Sequence, residues 1–257
     1  MAIFKNSIPF GNTVSRTLAI NYDSLRVDSY ARFGKTLYNT VTASISASYS
    51  SGSNSSSYAV PPEYTVQGTK ASFYFNGSGS YFFNTSSVNP ASNFTVNIWC
   101  RPTKTVVTPT QINNGVSTLS GHGFVIDPVY RDPGSGTTYC SSGISIGKNA
   151  VVVVEHTNSY APAVLVYTSS FSTSSFTNIC LVYNNRQPSL YINGSFVYTG
   201  LTGARTVSIL NPAYIGSSAS NGWGNYEGDI SLISVYTSSL SDAEIFKNYN
   251  VLRSRYS

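Results

Sequence analysis

The sequence contains few charged residues. Asp, Glu, Lys and Arg together make up 10% of its 257 residues, against roughly 25% in typical soluble domains. Ser, Thr, Asn, Gly and Tyr replace them, and these residues suit turns and the outward faces of strands, whereas exposed helix faces normally carry Lys, Glu and Arg. The low charge therefore argues against a mainly helical protein and favours an all-β fold.

The chain also lacks runs of basic residues. The formal net charge is +5 and the pI is near 9.0. The 15 basic residues are scattered singly, and the positive charge arises because the chain has only ten carboxylates. Nucleic-acid sites need clustered Lys and Arg. We therefore expect no nucleic-acid partner, and we attribute the positive balance to general solubility.

Long apolar runs are absent as well. The amino terminus, MAIFKNSIPFGNTVSR, has no continuous apolar core of the kind that signal peptides carry, and no stretch approaches the length of a membrane span. These absences predict synthesis in a cytoplasm without export through a signal peptide. They also predict that no segment crosses a membrane.

Cysteine is scarce, and its positions do not form a known pattern. Cys100, Cys140 and Cys180 are an odd set without the CxxC spacing of zinc or redox sites. At least one thiol must therefore be free or paired between chains. Cys100 and Cys180 each end an apolar strand pattern, which favours buried reduced thiols over a disulfide.

Several features divide the chain into an arm and one domain. Residues 1–16 show no period of 2 or 3.6 and predict an N-terminal arm, either disordered or ordered only against a neighbouring subunit. TLAINYDSL, which follows, alternates enough to predict the first strand of a domain over 17–257. Nine of the fourteen residues in 44–57 are Ser, which indicates an exposed loop. This loop lies inside the domain, because the segment before it is too short to bury its own core.

After Gly68, short runs of β-branched and aromatic residues alternate with turns about every ten residues, as in AVVVVEH, TNICLVYN and DISLISVYT. This spacing is typical of an antiparallel β-sandwich. The dipeptides Asn76-Gly77 and Asn193-Gly194 each lie between strand-like runs. Both predict tight hairpins, because such turns need positive φ angles that Asn-Gly readily adopts.

One helix is predicted, near the carboxyl end. The letters SDAE starting at Ser241 form a capping box, and Ile245, Tyr249 and Leu252 form an apolar stripe behind it. We expect a short helix over about 241–252 that packs on the sandwich.

The order of five motifs is similar to that of laminin-G-like domains, which are concanavalin A-type jelly rolls. The motifs are SFYFNGSGSYFF, NFTVNIWCRP, SLYINGSFVYTG, AYIGSS and GDISLISVYTSSLSDAEI, and the match runs from about residue 60 to the terminus. The resemblance implies an antiparallel β-sandwich with one short C-terminal helix and an N-terminal arm. One departure is Asn178, where the family usually has a Trp that anchors the core.

A further resemblance concerns the ends of the chain. LAINYDSLRVDSYARFGKTLYN and NYNVLRSRY are similar to the version of this domain found in bacteriophage structural proteins. It implies a capsid decoration protein or fibre component on the virion surface. The arm, residues 1–16, would grip the major capsid protein or other virion proteins, and we expect a homo-oligomer, with a trimer as the assumed symmetry. The alternative is a carbohydrate-binding lectin module for host-surface adhesion.

Catalysis is not expected. Related glycoside hydrolases place two carboxylates on one strand at a spacing of two, and only Glu227 and Asp229 have that spacing here. The complete E-x-D-x-x-E pattern is absent, so both are interpreted as structural carboxylates. His122 and His156 belong to no metal or triad motif and are interpreted as structural histidines.

Metal binding has little support. Laminin-G-like domains often bind Ca²⁺ through Asp side chains, and Asp127 and Asp132 lie in the loop VIDPVYRDPGSG. Two acids do not define a site. We therefore predict no cofactor, with calcium at Asp127 and Asp132 as the alternative.

Aromatic residues make up 14% of the chain and are the remaining clue to function. Trp223 and Tyr226 lie in the loop SNGWGNYEG, and Tyr130 and Tyr139 lie in or beside a long Gly-rich loop. Exposed Trp and Tyr side chains stack on sugars or form protein interfaces. These four residues are the predicted ligand contacts, and packing beneath its own loop is an equal alternative for Trp223.

Overall fold

The computed structural model describes residues 13–42, 44–49, 61–68, 70–84, 88–129, 138–217 and 222–256. These residues form strands and one α-helix, and this helix is not long and apolar enough to span a membrane. In chain order the elements are β1 (Leu18–Asp23), β2 (Thr36–Tyr38), β3 (Ser46–Ser48), β4 (Glu63–Gln67), β5 (Lys70–Asn76), β6 (Phe82–Asn84), β7 (Phe94–Pro102), β8 (Phe124–Ile126), β9 (Tyr139–Gly147), β10 (Ala150–His156), β11 (Ala163–Thr168), β12 (Thr177–Asn184), β13 (Gln187–Ile192), β14 (Ser195–Thr199), β15 (Val207–Leu210), β16 (Tyr214–Ile215), β17 (Glu227–Tyr236) and α1 (Asp242–Arg253).

The strands form two sheets that face each other, which confirms the predicted β-sandwich. Sheet 1 has the order β14-β13-β12-β7-β17-β5-β4, with β1 also paired to β17. Sheet 2 has the order β11-β10-β9-β8-β16-β6-β3-β2, with β15 also paired to β9. The β15–β9 ladder is parallel, and the other ladders of the described strands are antiparallel.

The core lies between the sheets and follows the alternation of the strands. Phe94, Val96 and Ile98 of β7 point inward and are buried with Val151 and Val153 of β10. Fully burying each such side chain stabilises the fold by about 1.5–3 kcal/mol relative to leaving it exposed. The same alternation sends the intervening side chains of both strands to the outer faces.

The two predicted hairpins have different outcomes. At Asn193-Gly194 the φ angles are 50° and 77°, and Ile192 pairs with Ser195, so this hairpin is confirmed. At Asn76-Gly77 the prediction is wrong, because β5 belongs to sheet 1 and β6 to sheet 2. Gly77 has a φ of 73°, so the local turn chemistry is present. The turn nevertheless carries the chain from one sheet to the other.

The first part of the predicted Ser-rich loop is a strand. Ser46–Ser48 forms β3 between β2 and β6, and Ala47 is fully buried in the core. A single inward alanine between outward serines is enough for a short strand that pairs on both sides. Residues 50–60 lie outside the described residues.

Helix α1 confirms the predicted terminal helix and covers the outer face of sheet 1. Glu244 accepts hydrogen bonds from the backbone N–H and the hydroxyl of Ser241, both at 2.9 Å. Ile245 and Leu252 are buried, and Tyr249 stacks on Trp99 of β7 with ring centroids 5.7 Å apart. The stripe seen in the sequence is therefore the face that packs on the sheet.

The last residues of the predicted arm contact the same helix. Val14 is buried, and its backbone N–H donates to Asn248 Oδ1 at 2.7 Å. Arg16 forms an exposed ion pair with Glu244 at 2.5 Å. Residues 1–12 lie outside the part of the chain that the structure describes.

Cys100, Cys140 and Cys180 are buried free thiols, as expected from their strand patterns. Burial raises the pKa of the Cys100 thiol to about 12, so the thiol stays protonated at neutral pH. Asn178, which replaces the family's Trp, is buried and donates through Nδ2 to Asn97 Oδ1 at 2.8 Å. A hydrogen bond between β12 and β7 thus replaces the apolar packing that a Trp would provide at this position.

Candidate binding face

The outer face of sheet 2 has a covered half and an open half. The covered half comprises β8 to β11, over which the segment 103–123 and Trp223 pack. The open half comprises β2, β3, β6 and β16, over whose outer side no hydrophobic cluster of the described residues packs. Helix α1 packs over the middle strands of sheet 1, while the edge strands of that sheet keep exposed side chains such as Val66 and Phe196.

Apolar packing holds the covered half together. Val152 and Val154 of β10 point outward and are buried beneath Val106, Phe124 and the partly buried Trp223. The side chain of Asn149 accepts the Val106 N–H at 2.8 Å and donates to the Val106 carbonyl at 2.9 Å. The segment is thus fixed by side-chain burial and by backbone hydrogen bonds.

Both histidines of the chain lie in this covered half. His156 packs edge-on against Trp223 with centroids 4.4 Å apart, and its Nδ1 lies 3.0 Å from the Pro128 carbonyl. His122 Nε2 lies 2.9 Å from the Thr118 carbonyl. Burial lowers the pKa of both imidazoles, so both are neutral at pH 7. Their contacts are those of the structural histidines that the sequence indicates.

The Trp223 ring packs largely against other residues of the protein. It is partly buried against the covered half, and the backbone N–H of His122 donates to its carbonyl at 3.1 Å. Gly224 follows with a φ of 140°, and a Cβ there would come within 2.0 Å of the His122 carbonyl oxygen. Residues 223 and 224 are therefore tightly docked, and a ligand contact at Trp223 stays a prediction.

Tyr226 does not fit its predicted role as a ligand contact. It is fully buried, its hydroxyl donates to the Asp229 carbonyl at 3.0 Å, and its ring packs edge-on against Phe75. The position next to β17 turns the side chain into the core. Tyr139, at the start of β9, is 38% exposed, whereas Tyr130 lies outside the described residues.

The structure describes one of the two predicted calcium ligands. The Asp127 side chain is buried, and its backbone N–H donates to the Tyr214 carbonyl at 3.2 Å. Asp132 lies outside the described residues. Among the residues that are described, no group of three or more His, Cys, Asp or Glu side chains could hold a metal. Calcium takes six to eight oxygen ligands, so a site here stays a prediction.

The two carboxylates with hydrolase-like spacing are used structurally. Asp229 pairs with Arg101 at 2.9 Å and accepts the Ser72 hydroxyl at 2.7 Å. Glu227 accepts the Thr103 hydroxyl at 3.1 Å. The geometry agrees with the interpretation of both residues as structural carboxylates.

The open half presents a row of side chains across four strands. Strand register places Thr36 opposite Ser48, Ser48 opposite Phe83, and Phe83 opposite Tyr214. All four are partly exposed. Their strand neighbours are buried in the core, which fixes the row to the outer face: Leu37, Ala47, Phe82 and Ile215.

Three rings cluster on this row. Tyr214 lies between Tyr81 and Phe83, with centroid distances of 5.5 Å and 5.2 Å and interplanar angles of 59° and 60°. At the opposite edge of the open half, Tyr38 of β2 is exposed. Burial raises the pKa of Tyr81, so its hydroxyl stays neutral. Such a surface can stack on apolar ring faces and exchange hydrogen bonds with hydroxyl groups.

These residues were missed in the sequence because two local signals pointed elsewhere. Tyr81 and Phe83 lie in a run that the Asn-Gly dipeptide assigned to a hairpin, and Ser48 lies in a run assigned to a loop. One signal was available: in YFFN, aromatic residues occupy both faces of a strand, so at least one ring must point away from the core.

Several solved structures share the fold. They include the binding domain of Paraclostridial Mosquitocidal Protein 1, at 14% identity and a TM-score of 0.58, covering 91% of this chain and 52% of that chain. The Botulinum Neurotoxin serotype G binding domain has 16% identity and a TM-score of 0.55, covering 91% of this chain and 51% of that chain. Trypanosoma rangeli sialidase in complex with sialic acid has 15% identity and a TM-score of 0.53, covering 93% of this chain and 33% of that chain.

This chain thus spans about half the length of the two toxin domains and a third of the sialidase. At these identities the likeness shows the fold. No curated protein matches the sequence. Residues 75–246 match the family described as the concanavalin A-like lectin/glucanases superfamily, in its laminin-G-like branch. Since the match covers more than half of the sequence, the chain belongs to this laminin-G-like family.

Proposed function

We propose that this chain is a non-catalytic carbohydrate-binding module whose ligand lies on the open half of sheet 2. The cluster of Tyr81, Phe83 and Tyr214 carries the proposal. Partly exposed rings on a sheet surface stack on the apolar faces of sugars, and the hydroxyls of Thr36 and Ser48 supply polar contacts on the same row.

Two further observations support binding rather than turnover. The carboxylates with hydrolase-like spacing, Glu227 and Asp229, are engaged by Thr103, Ser72 and Arg101. Structures with a similar fold include a binding domain of Botulinum Neurotoxin DC, solved in complex with rat synaptotagmin II and with SialylT. Those complexes are of the toxin, and they support the occurrence of a sandwich of this kind in binding proteins.

A glycan array tests the proposal. Wild type should bind at least one glycan, and Tyr214→Ala should weaken that binding by about tenfold or more, since about 1.4 kcal/mol corresponds to a factor of ten. Tyr139→Ala is the matched control, because it removes an exposed tyrosine outside the open half. Thermal unfolding of both variants verifies that they are folded.

Two outcomes count against the open half as the site. Binding to no glycan overturns the proposed function. Loss of binding in Tyr139→Ala with full binding in Tyr214→Ala would move the site to the ligand contacts predicted from the sequence, which include Tyr139. We propose that no cofactor takes part, so a chelator should leave binding unchanged; loss that calcium restores would instead support Asp127 and Asp132.

We also propose that the module acts on a virion surface, as a capsid decoration protein or fibre component. The resemblance of LAINYDSLRVDSYARFGKTLYN and NYNVLRSRY to phage structural proteins supports this location. Residues 1–16 would attach to the major capsid protein or other virion proteins, in a homo-oligomer with assumed threefold symmetry. This location is compatible with glycan binding, because the arm and the open half are separate parts of the chain.

Particle sedimentation tests the attachment. The full chain should sediment with assembled particles, whereas a chain lacking residues 1–12 should stay in the supernatant while its melting temperature and glycan binding are retained. Truncation after residue 12 keeps the contacts of Val14 and Arg16 with α1. A full chain found only free in the host cytosol would contradict the virion location.

A further inference from the structure

The strands of the open half carry no charged side chain. Their sequences are TLY in β2, SAS in β3, FFN in β6 and YI in β16. Lys35, which precedes β2, is exposed, and strand alternation places it on the opposite side of the backbone from Thr36. Recognition of an acidic sugar needs cationic partners for its carboxylate. The composition of the surface therefore matches an uncharged ligand.

The length of the row indicates an extended ligand. Thr36, Ser48, Phe83 and Tyr214 occupy four adjacent strands, and three intervals of roughly 4.8 Å give a row of about 14 Å. This is longer than a single sugar ring. The row runs across the strands on an outer sheet surface, from the edge strand β2 to β16, beside which the covered half begins. A chain can therefore enter over β2 and follow the row towards β16.

The tilt of the rings limits the form of the ligand. Tyr81 and Phe83 are inclined by 59° and 60° to Tyr214. Three rings at such angles do not form one plane, so they cannot lie flat together on a crystalline polysaccharide surface. They can each contact a different sugar of a single chain.

The hydroxyls at the other end of the row are suited to a polar partner. Thr36 Oγ1 and Ser48 Oγ lie 3.1 Å apart, and either can donate to the other. One hydroxyl hydrogen is used in that contact. The second remains available to a ligand oxygen, and both oxygens retain lone pairs that can accept a hydrogen bond.

We infer that the open half binds an uncharged, linear polysaccharide as a single chain, with several sugar units lying across β2, β3, β6 and β16. The inference rests on the proposed carbohydrate-binding function and specifies its ligand class. The rings of β6 and β16 stack on the sugars at one end, and Thr36 and Ser48 hydrogen-bond the sugars at the other.

Titration calorimetry on the full chain tests the inference with defined probes. The neutral probes are cello-, malto- and chito-oligosaccharides from the monosaccharide to the hexasaccharide, and the acidic probes are sialyllactose and oligogalacturonate. In at least one neutral series, affinity should rise about tenfold or more from monosaccharide to tetrasaccharide, which corresponds to at least one added sugar contact. Affinity should then level off and should not change between low and high salt.

A variant at the far end of the row sharpens the test. Thr36→Val keeps the shape of the side chain and removes its hydroxyl, so it should weaken tetrasaccharide binding and leave disaccharide binding at the rings unchanged. Thr65→Val, on an edge strand of sheet 1, is the matched control. It should leave both affinities unchanged.

The outcomes separate the inference from the proposed function. A monosaccharide that binds as tightly as the longer sugars, or a salt-sensitive preference for the acidic probes, overturns the extended neutral site but leaves carbohydrate binding intact. Binding that occurs only to insoluble crystalline cellulose or chitin overturns the single-chain geometry. Binding to none of the probes and to no glycan on the array overturns both.

Discussion

Asp23→Ala is expected to lower the free energy of unfolding by about 3–5 kcal/mol, the range found when one partner of a buried ion pair is removed. Asp23 is fully buried on β1 and accepts two hydrogen bonds from Arg255, at 2.7 Å and 2.9 Å. The Arg255 side chain is only 11% exposed. Removing the carboxylate therefore leaves a guanidinium that is neither paired nor solvated. Chemical denaturation followed by circular dichroism measures the change.

A double-mutant cycle separates the cost of leaving the Arg255 guanidinium unpaired from the net contribution of the Asp23–Arg255 ion pair to stability. Asp23→Ala/Arg255→Met should recover most of the loss, because a buried pair can often be replaced by apolar groups at little cost. Arg16→Ala is the matched control, since it breaks an exposed pair with Glu244 of α1 and should change stability far less. A single Asp23→Ala variant as stable as Arg16→Ala would contradict this account.

Trp99→Ala is expected to lower the free energy of unfolding by about 3–5 kcal/mol, as large aromatic deletions in a core do. Trp99 is 2% exposed and stacks on Tyr249 and Tyr256, with centroids 5.7 Å and 4.1 Å away. These contacts join the outer face of sheet 1 to α1 and the residues after it. Hydrogen exchange should show that amide protection falls most in α1, with smaller changes in β9 and β10.

Phe246→Ala is the matched control for this prediction. Phe246 lies on the same helix but is 52% exposed, so its removal leaves no cavity and should have a small effect on unfolding. An equal loss of protection in both sheets and in α1 would show that Trp99 supports the whole sandwich rather than the attachment of the helix.

The features predicted correctly are those that neighbouring residues determine together. The alternation in TLAINYD, the Asn193-Gly194 turn and the capping box at Ser241 each act within a few residues, and each appears in the structure where it was expected. The motifs LYxNG and GxIxxxxxYxxxLSxxEI then identify the family, because their order reflects the order of strands in the sandwich.

The errors arose where local chemistry permits more than one partner. Asn76-Gly77 makes a turn in either case, but only packing decides whether the next strand pairs with β5 or crosses to sheet 2. Tyr226 lies in a loop of small polar residues that resembles an exposed rim. Its burial follows from the packing of its ring against Phe75, which is distant in the sequence, and from the hydrogen bond of its hydroxyl to the Asp229 carbonyl. Neither contact can be recognised from the loop sequence alone.

The shortage of charge in the sequence indicated by itself an all-β protein, because composition and alternation act in each strand independently of the others. Only the tertiary structure decided where the uncharged side chains collect. Thr36, Ser48, Phe83 and Tyr214 lie far apart in the chain and meet through the register of four strands. That register depends on long-range pairing and on the burial of the alternate residues, so the open half could not be read from any local segment.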